Sequence, residues 1–439
     1  MPNTKNIRNL RYSEPIHTDL LIIGAGLSGL RAAWSAKTTE PTRDVLLVNN
    51  QEMVQPSGSS FTNRNDVLGM QVPFNDHERE EFLKEVLNLG PGYVVEELVY
   101  ILAGDAHEQF RDLVKLGFDF DRHPDGSIKR YPGCFSISER AVIFRDLGKC
   151  HGLLRKKAMD LGAKFLDSHS LMELLTDNSR CKGGLFFDRY KKDITPILAK
   201  ATIMASGGTA SLYKYNLAGR GVEGTSHVML DQAGARMENL RYLQFLWYSL
   251  PDRHFFSFGT LLSQDPVTVS NCRRDVAPVC LPCESKEFRL LIHERLRHCP
   301  YGYGLKDSIV DEMIAANLID NSGVRISTGD NGEGVMIAPF AHASNGGAVV
   351  DRNGMTSVRG LFAVGECATG MHGANRLGGA MVTATQVFGH RAGYAAARLA
   401  REDGHQVKTS CDGMKAFYED LSERERVKIE VREILQMDY

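Results

Sequence analysis

The chain has 439 residues, enough for two domains, and its 52 Lys and Arg nearly balance 54 Asp and Glu, giving a net charge of −2. This balance offers no basic surface for nucleic acid, and no run of about 20 apolar residues predicts a membrane span. Nine scattered cysteines and no apolar leader before residue 19 favour a cytoplasmic protein with reduced thiols.

The first predicted element is a strand, turn and helix over residues 19–33, DLLIIGAGLSGLRAA. The apolar run 20–23 is typical of a parallel strand buried on both faces. Gly24, Gly26 and Gly29 then give the spacing G-x-G-x-x-G, which allows a tight turn, close approach of a pyrophosphate, and close packing of the helix on the strand. A dinucleotide site is favoured here over a chance strand-turn-helix, because the helix N-terminus directs partial positive charge at the phosphate position.

The second predicted strand covers residues 44–48 and ends at Asn49 and Asn50. A dinucleotide fold usually has an acidic residue here that accepts hydrogen bonds from the ribose hydroxyls. Asparagine can still accept through its amide oxygen, but it brings no charge. The small-residue loop 55–60 suits contact with a phosphate or a flat ring, although an ordinary surface turn also fits.

The middle of the chain predicts a helical excursion, residues 76–165, between strands of the dinucleotide-binding domain. Apolar spacing of three and four residues predicts helices over 76–116, with breaks, and over 147–161. Residues 122–138 look like a loop. The predicted strands that follow are 162–166, 172–175, 183–187 and 194–203, the last entering a glycine turn at 205–208.

Residues 239–335 differ in character, with aromatic clusters and four of the nine cysteines, and we predict an inserted capping domain there. The first domain then resumes over 336–403, where 378–399 reads as a long Ala-rich helix. The charged tail, residues 404–439, is predicted to be helical near its end. These boundaries leave residues 1–238 as the first part of the dinucleotide-binding domain.

Four cysteines of the capping segment raise a separate question. Cys280 and Cys283 have the two-residue spacing of many metal sites, but the intervals to Cys272 and Cys299 follow no zinc or iron–sulfur pattern. A metal or cluster, a redox dithiol and ordinary thiols all remain open. Ordinary thiols are favoured, and we predict no metal site.

Three segments, residues 19–33, 205–235 and 342–393, resemble the flavoprotein family that includes succinate dehydrogenase, fumarate reductase and L-aspartate oxidase. The most specific part is GLFAVGE at 360–366 followed by HGANRLGG at 372–379. The resemblance covers most of residues 17–400. It implies an α/β fold with a discontinuous Rossmann-like FAD-binding domain, an inserted α+β capping domain and a short helical C-terminal tail.

The family resemblance implies FAD as the cofactor. Glu366 resembles the residue that accepts a hydrogen bond from the ribitol chain, and the turn at 378–381 would direct free helix N–H groups at the flavin C2 carbonyl. No second G-x-G-x-x-G unit is present for a nicotinamide cofactor. Some family members bind FAD covalently through a histidine near the segment matching 57–69, which has no histidine here, so we predict noncovalent FAD. The candidate FAD contacts are Gly24, Gly26, Ser28, Gly29, Asn49, Asn50, Gly58, Ser59, Ser60, Ala205, Ser206, Gly207, Glu223, Gly365, Glu366, Gly379, Ala380 and Met381.

The resemblance also implies a dicarboxylate or amino dicarboxylate substrate beside flavin N5. Arg376 matches the family's carboxylate-binding arginine, and its planar fork suits bidentate pairing. His342 matches the other carboxylate-binding group. A structural salt bridge for Arg376 and a packed histidine for His342 are the alternatives. Lys306, before Asp307 and a predicted helix, is the nearest match to the family's proton-shuttling cap arginine, and it would need burial or nearby cations for that role.

Two departures from the family pattern affect the predicted function. Leu246 stands where the family has a substrate-binding histidine, and the family's Thr-Glu pair is not recognisable in residues 258–266. The sequence therefore predicts hydride transfer between flavin N5 and a small carboxylate that is less polar at the Leu246 end. The alternative is an electron-transfer subunit of a larger redox complex, with a partner protein and a degenerate substrate pocket.

Overall fold

The computed structural model of the chain describes residues 13–52, 54–63, 67–177, 180–263, 266–271, 277–318, 323–329 and 334–402. The predicted helical tail and Cys272 lie outside the described residues. Within them the helices are α1 (Leu27–Thr39), α2 (Asp76–Asn88), α3 (Glu96–Leu116), α4 (Leu147–Asp160), α5 (Ser226–Gln232), α6 (Lys286–Arg295), α7 (Ser308–Ala315) and α8 (Ala380–Glu402).

The strands of the described residues fall into four sheets. In chain order they are β1 (Ile16–Ile23), β2 (Val45–Val48), β3 (Gly69–Gln71), β4 (Arg130–Pro132), β5 (Glu139–Ile143), β6 (Lys164–Leu166), β7 (His169–Asp177), β8 (Arg180–Asp188), β9 (Ile194–Met204), β10 (Met237–Glu238), β11 (Leu243–Ser249), β12 (Val267–Asn271), β13 (Val279–Leu281), β14 (Val324–Thr328), β15 (Gly334–Ser344), β16 (Gly347–Val349), β17 (Leu361–Ala363) and β18 (Ala368–Thr369).

The main sheet places the carboxyl ends of four parallel strands at one edge. Among the described residues its order is β6-β2-β1-β9-β8-β7, with β17 beside β9. In register, Ile23 lies opposite both Val48 and Met204, and Met204 lies opposite Ala363. The turns that follow β1, β2, β9 and β17 therefore meet at this edge, which is where open α/β sheets bind ligands.

Helices α1 and α8 pack against each other through glycine. A Cβ added at Gly389 would lie 2.9 Å from the Ser28 carbonyl oxygen, and one added at Gly393 would lie 2.3 Å from the Ala32 carbonyl oxygen. Only glycine allows the backbones to approach this closely. The contact fixes the two helices whose N-terminal ends flank the edge of the sheet.

The excursion between β2 and β6 is less helical than the sequence predicts. Helices α2 and α3 occupy the predicted 76–116 segment, and Gly117 ends α3 in a left-handed conformation, with φ +98°. The predicted loop at 122–138, however, contains β4, which pairs with β5, and β5 pairs with β3. Strand β6, inside the predicted excursion, belongs to the main sheet. Three-residue strands are too short for a period of two to show in the sequence.

The capping segment has its own sheet and core. The order of its strands, among the residues described, is β11-β15-β14-β12-β13, all antiparallel. Its apolar core joins this sheet to α6 and α7 through residues such as Val269, Ile292 and Ile314. Strand β15 runs without a break through the predicted boundary at residues 335 and 336, so one strand connects the capping sheet to the first domain.

The fold class predicted from the sequence is confirmed: a discontinuous α/β domain with an inserted α+β cap. Within the described part of the chain, each helix is too short or too polar to span a bilayer.

Candidate active site

A cleft opens at the end of the main sheet where the strands β1, β2, β9 and β17 end. It encloses about 930 Å³, including the solvent at its mouth. The predicted contacts that line it are Gly24, Gly26, Ser28, Asn49, Asn50, Gly58, Ser59, Ser60, Ala205, Ser206, Gly207, Glu223, Gly365, Glu366 and Met381.

The three glycines of the first turn have different surroundings. Gly24 has φ +109°, and a Cβ there would lie 2.5 Å from the Ala205 carbonyl oxygen; at Gly29 a Cβ would lie 1.9 Å from the Gly24 carbonyl oxygen. At Gly26, by contrast, a Cβ would meet no atom within 4 Å. Gly24 and Gly29 therefore serve packing, while Gly26 faces the open cleft at the N-terminus of α1.

The two asparagines after β2 direct their amide NH₂ groups at the protein. Asn49 Nδ2 donates to the Gln51 carbonyl at 3.1 Å, and Asn50 Nδ2 donates to the Gly221 carbonyl at 2.7 Å. Their side-chain oxygens are then the groups suited to accept from ribose hydroxyls. Glu223, also in the lining, accepts from Ser170 at 2.9 Å and is paired with Arg189, so its carboxylate is already held by the protein.

The small-residue loop after Asn50 lies against the first glycine turn. Gly58 has φ +82°, and a Cβ there would lie 3.5 Å from Gly26 Cα. The Gly58 amide donates to the Arg220 carbonyl at 2.7 Å, and the Gly219 amide donates to Ser59 Oγ at 3.1 Å. The loop is therefore part of the cleft and not a free surface turn.

Several lining residues were not predicted from the sequence. Ser57 belongs to the loop already singled out, and Arg220 directly precedes the predicted glycine turn at Gly221, so both had a nearby signal. His169 and Thr385 had none, because strand and helix positions that face a cleft look like ordinary buried positions. Conversely, Gly29, Gly379 and Ala380 were predicted as contacts but are not among the lining residues of this cleft.

Glu366 lies at the inner end of the cleft. Its Oε2 accepts from the Ser344 amide at 3.2 Å, and a Cβ on Gly208 would lie 2.1 Å from the same oxygen. Burial raises the pKa of Glu366, and the nearby charge of Arg376 opposes that rise. An acidic acceptor is thus held between the cleft and the arginine.

These features fit an FAD molecule. An open Gly26 at a helix N-terminus suits a pyrophosphate, the asparagine oxygens suit a ribose, and Glu366 with the N-terminal end of α8 suits the ribitol and flavin end.

Arg376 is the centre of a second, adjoining cluster. Its side chain is buried, and its Nη2 donates to Gln244 Oε1 at 2.6 Å. Its Nε and Nη1 have no hydrogen-bond partner among the described residues, and the same holds for Nδ1 of His342 and Nε2 of His372. Buried N–H groups without partners are costly, which makes this cluster suited to receive an acceptor such as a carboxylate.

The two histidines of the cluster are held neutral. Burial, and second the charge of Arg376, lower the pKa of His342 to about 4 and that of His372 well below its ordinary value. They can therefore serve as hydrogen-bonding groups near neutral pH, while the guanidinium carries the charge. The sequence did not predict His372 or Gln244 as site residues, although His372 opens the octapeptide HGANRLGG and Gln244 lies two residues before Leu246.

Lys306 is not brought into this cluster. It is exposed, in the turn before α7, and the expected burial is not observed. Its proton-shuttling role stays a prediction. Leu246 packs in a small apolar cluster of the cap with Leu217, Tyr248 and Phe340.

The described cysteines are free thiols, with Cys280 exposed and Cys283 buried. The described residues contain no group of three or more His, Cys, Asp or Glu side chains arranged to hold a metal ion.

A mixed sheet whose parallel strands end at a dinucleotide-type cleft, beside a buried cluster centred on Arg376, is typical of an FAD-dependent oxidoreductase. The sequence matches the model of the FAD binding domain family over residues 19–265 and 282–382, more than half of the chain. The protein belongs to this family.

Named relatives agree with this class. An L-aspartate oxidase of Halobacterium salinarum is 28% identical over 413 residues, covering 87% of this chain and 75% of that protein. The 8-methylmenaquinol:fumarate reductase flavoprotein subunit of Wolinella succinogenes is 28% identical over 445 residues, covering 89% and 68%. In fold, the chain is similar to a solved E. coli quinol fumarate reductase, with a TM-score of 0.72, 22% identity, and coverage of 94% and 74%.

Proposed function

We propose that the protein catalyses hydride transfer between FAD and a small carboxylate substrate, a dicarboxylate, enoate or amino acid, bound at Arg376. The observation that carries the proposal is the buried guanidinium with two nitrogens that lack partners among the described residues. A relative named L-aspartate oxidase and relatives named fumarate reductase support this substrate class.

FAD supplies a flavin ring that takes up or gives up a hydride at N5. The chain's own residues bind and orient the substrate. Gln244 fixes the guanidinium plane of Arg376 through Nη2, and Nε and Nη1 each remain able to donate to a substrate oxygen. The neutral His342 and His372 add uncharged hydrogen bonds without repelling the arginine. Lys306 remains our predicted proton-transfer residue.

The test has two parts, both monitored by flavin absorbance. The FAD-loaded protein is reduced anaerobically with succinate or L-aspartate, and the reduced protein is reoxidised with fumarate. We expect at least one of these acids to react. Each hydrogen bond to a charged group contributes about 1.5–3 kcal/mol, so Arg376→Ala should lower the acid's apparent affinity by about 100-fold or more. FAD affinity should be unchanged, because Arg376 does not line the cleft.

Arg398→Ala is the matched control. Arg398 is an exposed arginine whose Nη1 donates to Tyr394 Oη at 2.7 Å on the same long helix. The Arg398→Ala variant should react with the acids as the unaltered protein does. Equal loss in both variants, or full reactivity of Arg376→Ala, would contradict the assignment of Arg376.

The second candidate function is an electron-transfer subunit. It is favoured by Leu246, which packs in an apolar cluster at the position where the resemblance implies a substrate-binding histidine. Relatives named as flavoprotein subunits also favour it. In that case none of the acids bleaches the flavin, and a redox partner protein reduces it rapidly.

We further propose that the protein resides in the cytoplasm, because its nine scattered cysteines suit reduced thiols. We also propose that FAD is bound noncovalently. Precipitation of the loaded protein with acid should release all flavin into the supernatant. Flavin that stays with the precipitate would contradict noncovalent binding.

A further inference from the structure

Two cysteines from different parts of the chain meet beside Arg376. Cys134 lies in the segment between β4 and β5, and Cys299 lies in the cap between α6 and α7. The Cys299 amide donates to Cys134 Sγ at 3.4 Å, which places the two side chains next to each other. Neither thiol was paired with the other by sequence spacing, because the contact depends on how the cap docks.

The backbone of Cys134 is fixed next to the start of α8. Its carbonyl accepts from the Gly378 amide at 2.8 Å, and a Cβ on Gly378 would lie 2.5 Å from the Cys134 nitrogen. The charge of Cys134 in turn acts on Arg376. The pair therefore lies where the cap meets the candidate substrate cluster.

The charges around the pair make the two thiols unequal. The hydrogen bond from Cys299, and then the charges of His298 and Arg295, lower the pKa of Cys134 to about 6 against the opposing effect of burial. The pKa of Cys299 is raised by the hydrogen bond to Cys134 and by burial. The lower pKa makes Cys134 the thiol of the pair that ionises first, and both are partly exposed to solvent.

The segments that carry the two thiols are already held together. The Phe135 ring stacks on His298, with centroids 4.3 Å apart and planes at 19°. Asn375, next to Arg376, accepts from the Tyr303 amide and donates to the Tyr303 carbonyl, both at 2.8 Å. The segments that carry the two thiols are therefore already in contact, as a disulfide between them requires.

We propose that Cys134 and Cys299 form a redox-modification site, a dithiol that a peroxide oxidises to a disulfide joining the cap to the FAD-binding domain beside Arg376. The Cys134 thiolate attacks one peroxide oxygen, the O–O bond breaks, and the hydroxide that leaves takes a proton from solvent, so that Cys134 becomes a sulfenic acid. The Cys299 sulfur then attacks the Cys134 sulfur, the S–S bond forms as the S–O bond of the sulfenic acid breaks, and the hydroxide released takes the Cys299 proton as water. Two electrons from the thiols reduce one hydrogen peroxide to two waters, and an added dithiol reverses the change.

The disulfide would fix the cap over the substrate cluster. This modification does not depend on which carboxylate the protein uses, so it can fail or succeed independently of the proposed activity.

The test is peptide mapping of the full-length, FAD-loaded protein after brief treatment with dilute hydrogen peroxide and alkylation. We expect one disulfide-linked peptide pair containing Cys134 and Cys299, and its loss after dithiothreitol. The pair should be absent from Cys134→Ser and Cys299→Ser and present in Cys280→Ser, which removes an exposed cap thiol outside the pair. In Cys299→Ser, the Cys134 sulfenic acid should persist and be trapped by dimedone.

The pH dependence adds a readout that a structural thiol would not give. The rate of disulfide formation in the unaltered protein should be half-maximal near pH 6, whereas an ordinary thiol reacts with a midpoint of about 8.5. His298 and Arg295 are the charged groups that lower the pKa of Cys134 together with Cys299, and the charge of Cys134 acts in turn on Arg376. Alkylated Cys134 and Cys299 after peroxide treatment, or a bond between Cys280 and Cys283 instead, would overturn the proposal.

Discussion

Replacing Gly26 by alanine separates cofactor binding from folding. In the protein, Gly26 has φ −72°, a value open to any residue, and the added Cβ meets no atom within 4 Å. Alanine is a poorer N-cap than glycine, which destabilises the protein by a few tenths of a kcal/mol or more. Alanine also lowers the conformational entropy of the unfolded chain, which stabilises the folded state by about 0.4–1 kcal/mol. We therefore expect the free energy of unfolding of the apoprotein to stay within about 0.5 kcal/mol of its original value.

FAD binding should respond quite differently. The new methyl group occupies the space where a pyrophosphate approaches the N-terminus of α1, and the charge interaction with a helix terminus alone contributes up to about 2 kcal/mol. Displacing the phosphates should lower FAD affinity about 10- to 100-fold, or about 1.4–2.7 kcal/mol. The assay is thermal unfolding of the apoprotein over an FAD titration, since bound ligand stabilises by an amount set by its concentration and Kd.

Gly29→Ala is the contrasting variant. Its Cβ would lie 1.9 Å from the Gly24 carbonyl oxygen, so it should destabilise the apoprotein by more than the 1–3 kcal/mol typical of overpacking. Unchanged FAD affinity in Gly26→Ala would refute the placement of the pyrophosphate at this turn. A Gly26→Ala apoprotein as unstable as Gly29→Ala would refute the claim that Gly26 faces open space.

Two other predictions concern pH and cap docking. Burial, and second the charge of Arg155, lower the pKa of His151 to about 4. Between pH 6.5 and 4 the unfolded chain therefore binds more protons at this residue than the folded protein does. The free energy of unfolding should fall as the pH falls through this range. In urea titrations His151→Gln should reduce this slope by up to about 1.4 kcal/mol per pH unit, and an unaltered slope would contradict the shift. Asn375→Ala removes both hydrogen bonds to Tyr303 and should destabilise this contact by about 1–3 kcal/mol for each group left without a partner. Amide hydrogen exchange in residues 299–305 should then be faster than in the unaltered protein. An exchange rate equal to that of the unaltered protein would show that other contacts hold the cap.

The cofactor cleft could be predicted from the sequence because its parts are local. Gly24, Gly26 and Gly29 need only their own strand and helix, and the octapeptide at 372–379 carries a specific family pattern. Most predicted contacts accordingly line one cleft. The short sheet of β3, β4 and β5 was missed because strands of three to five residues leave almost no periodicity.

The substrate cluster was harder to predict because its geometry is long-range. The unpartnered nitrogens of Arg376, its bond to Gln244 and the nearby His372 depend on how the cap sheet docks, not on any single spacing. The exposure of Lys306 is likewise a property of the turn before α7, which the match to the family could not show. The sequence patterns therefore predicted residues that the structure brings to one cleft, whereas the contacts of Arg376 and Gln244 depend on the tertiary structure.

The order in which the cleft is assembled has a consequence for biosynthesis. One wall comes from Gly24 near the start of the chain, a second from Ala205, and a third from Gly365 and Met381. Contacts this far apart in sequence form late and slowly, because long loops must close before they contribute. A ribosome-bound chain has the first glycine turn long before it has the remaining walls. Cofactor uptake must therefore wait until α8 has been synthesised. Until then the incomplete cleft is exposed to aggregation or to chaperones.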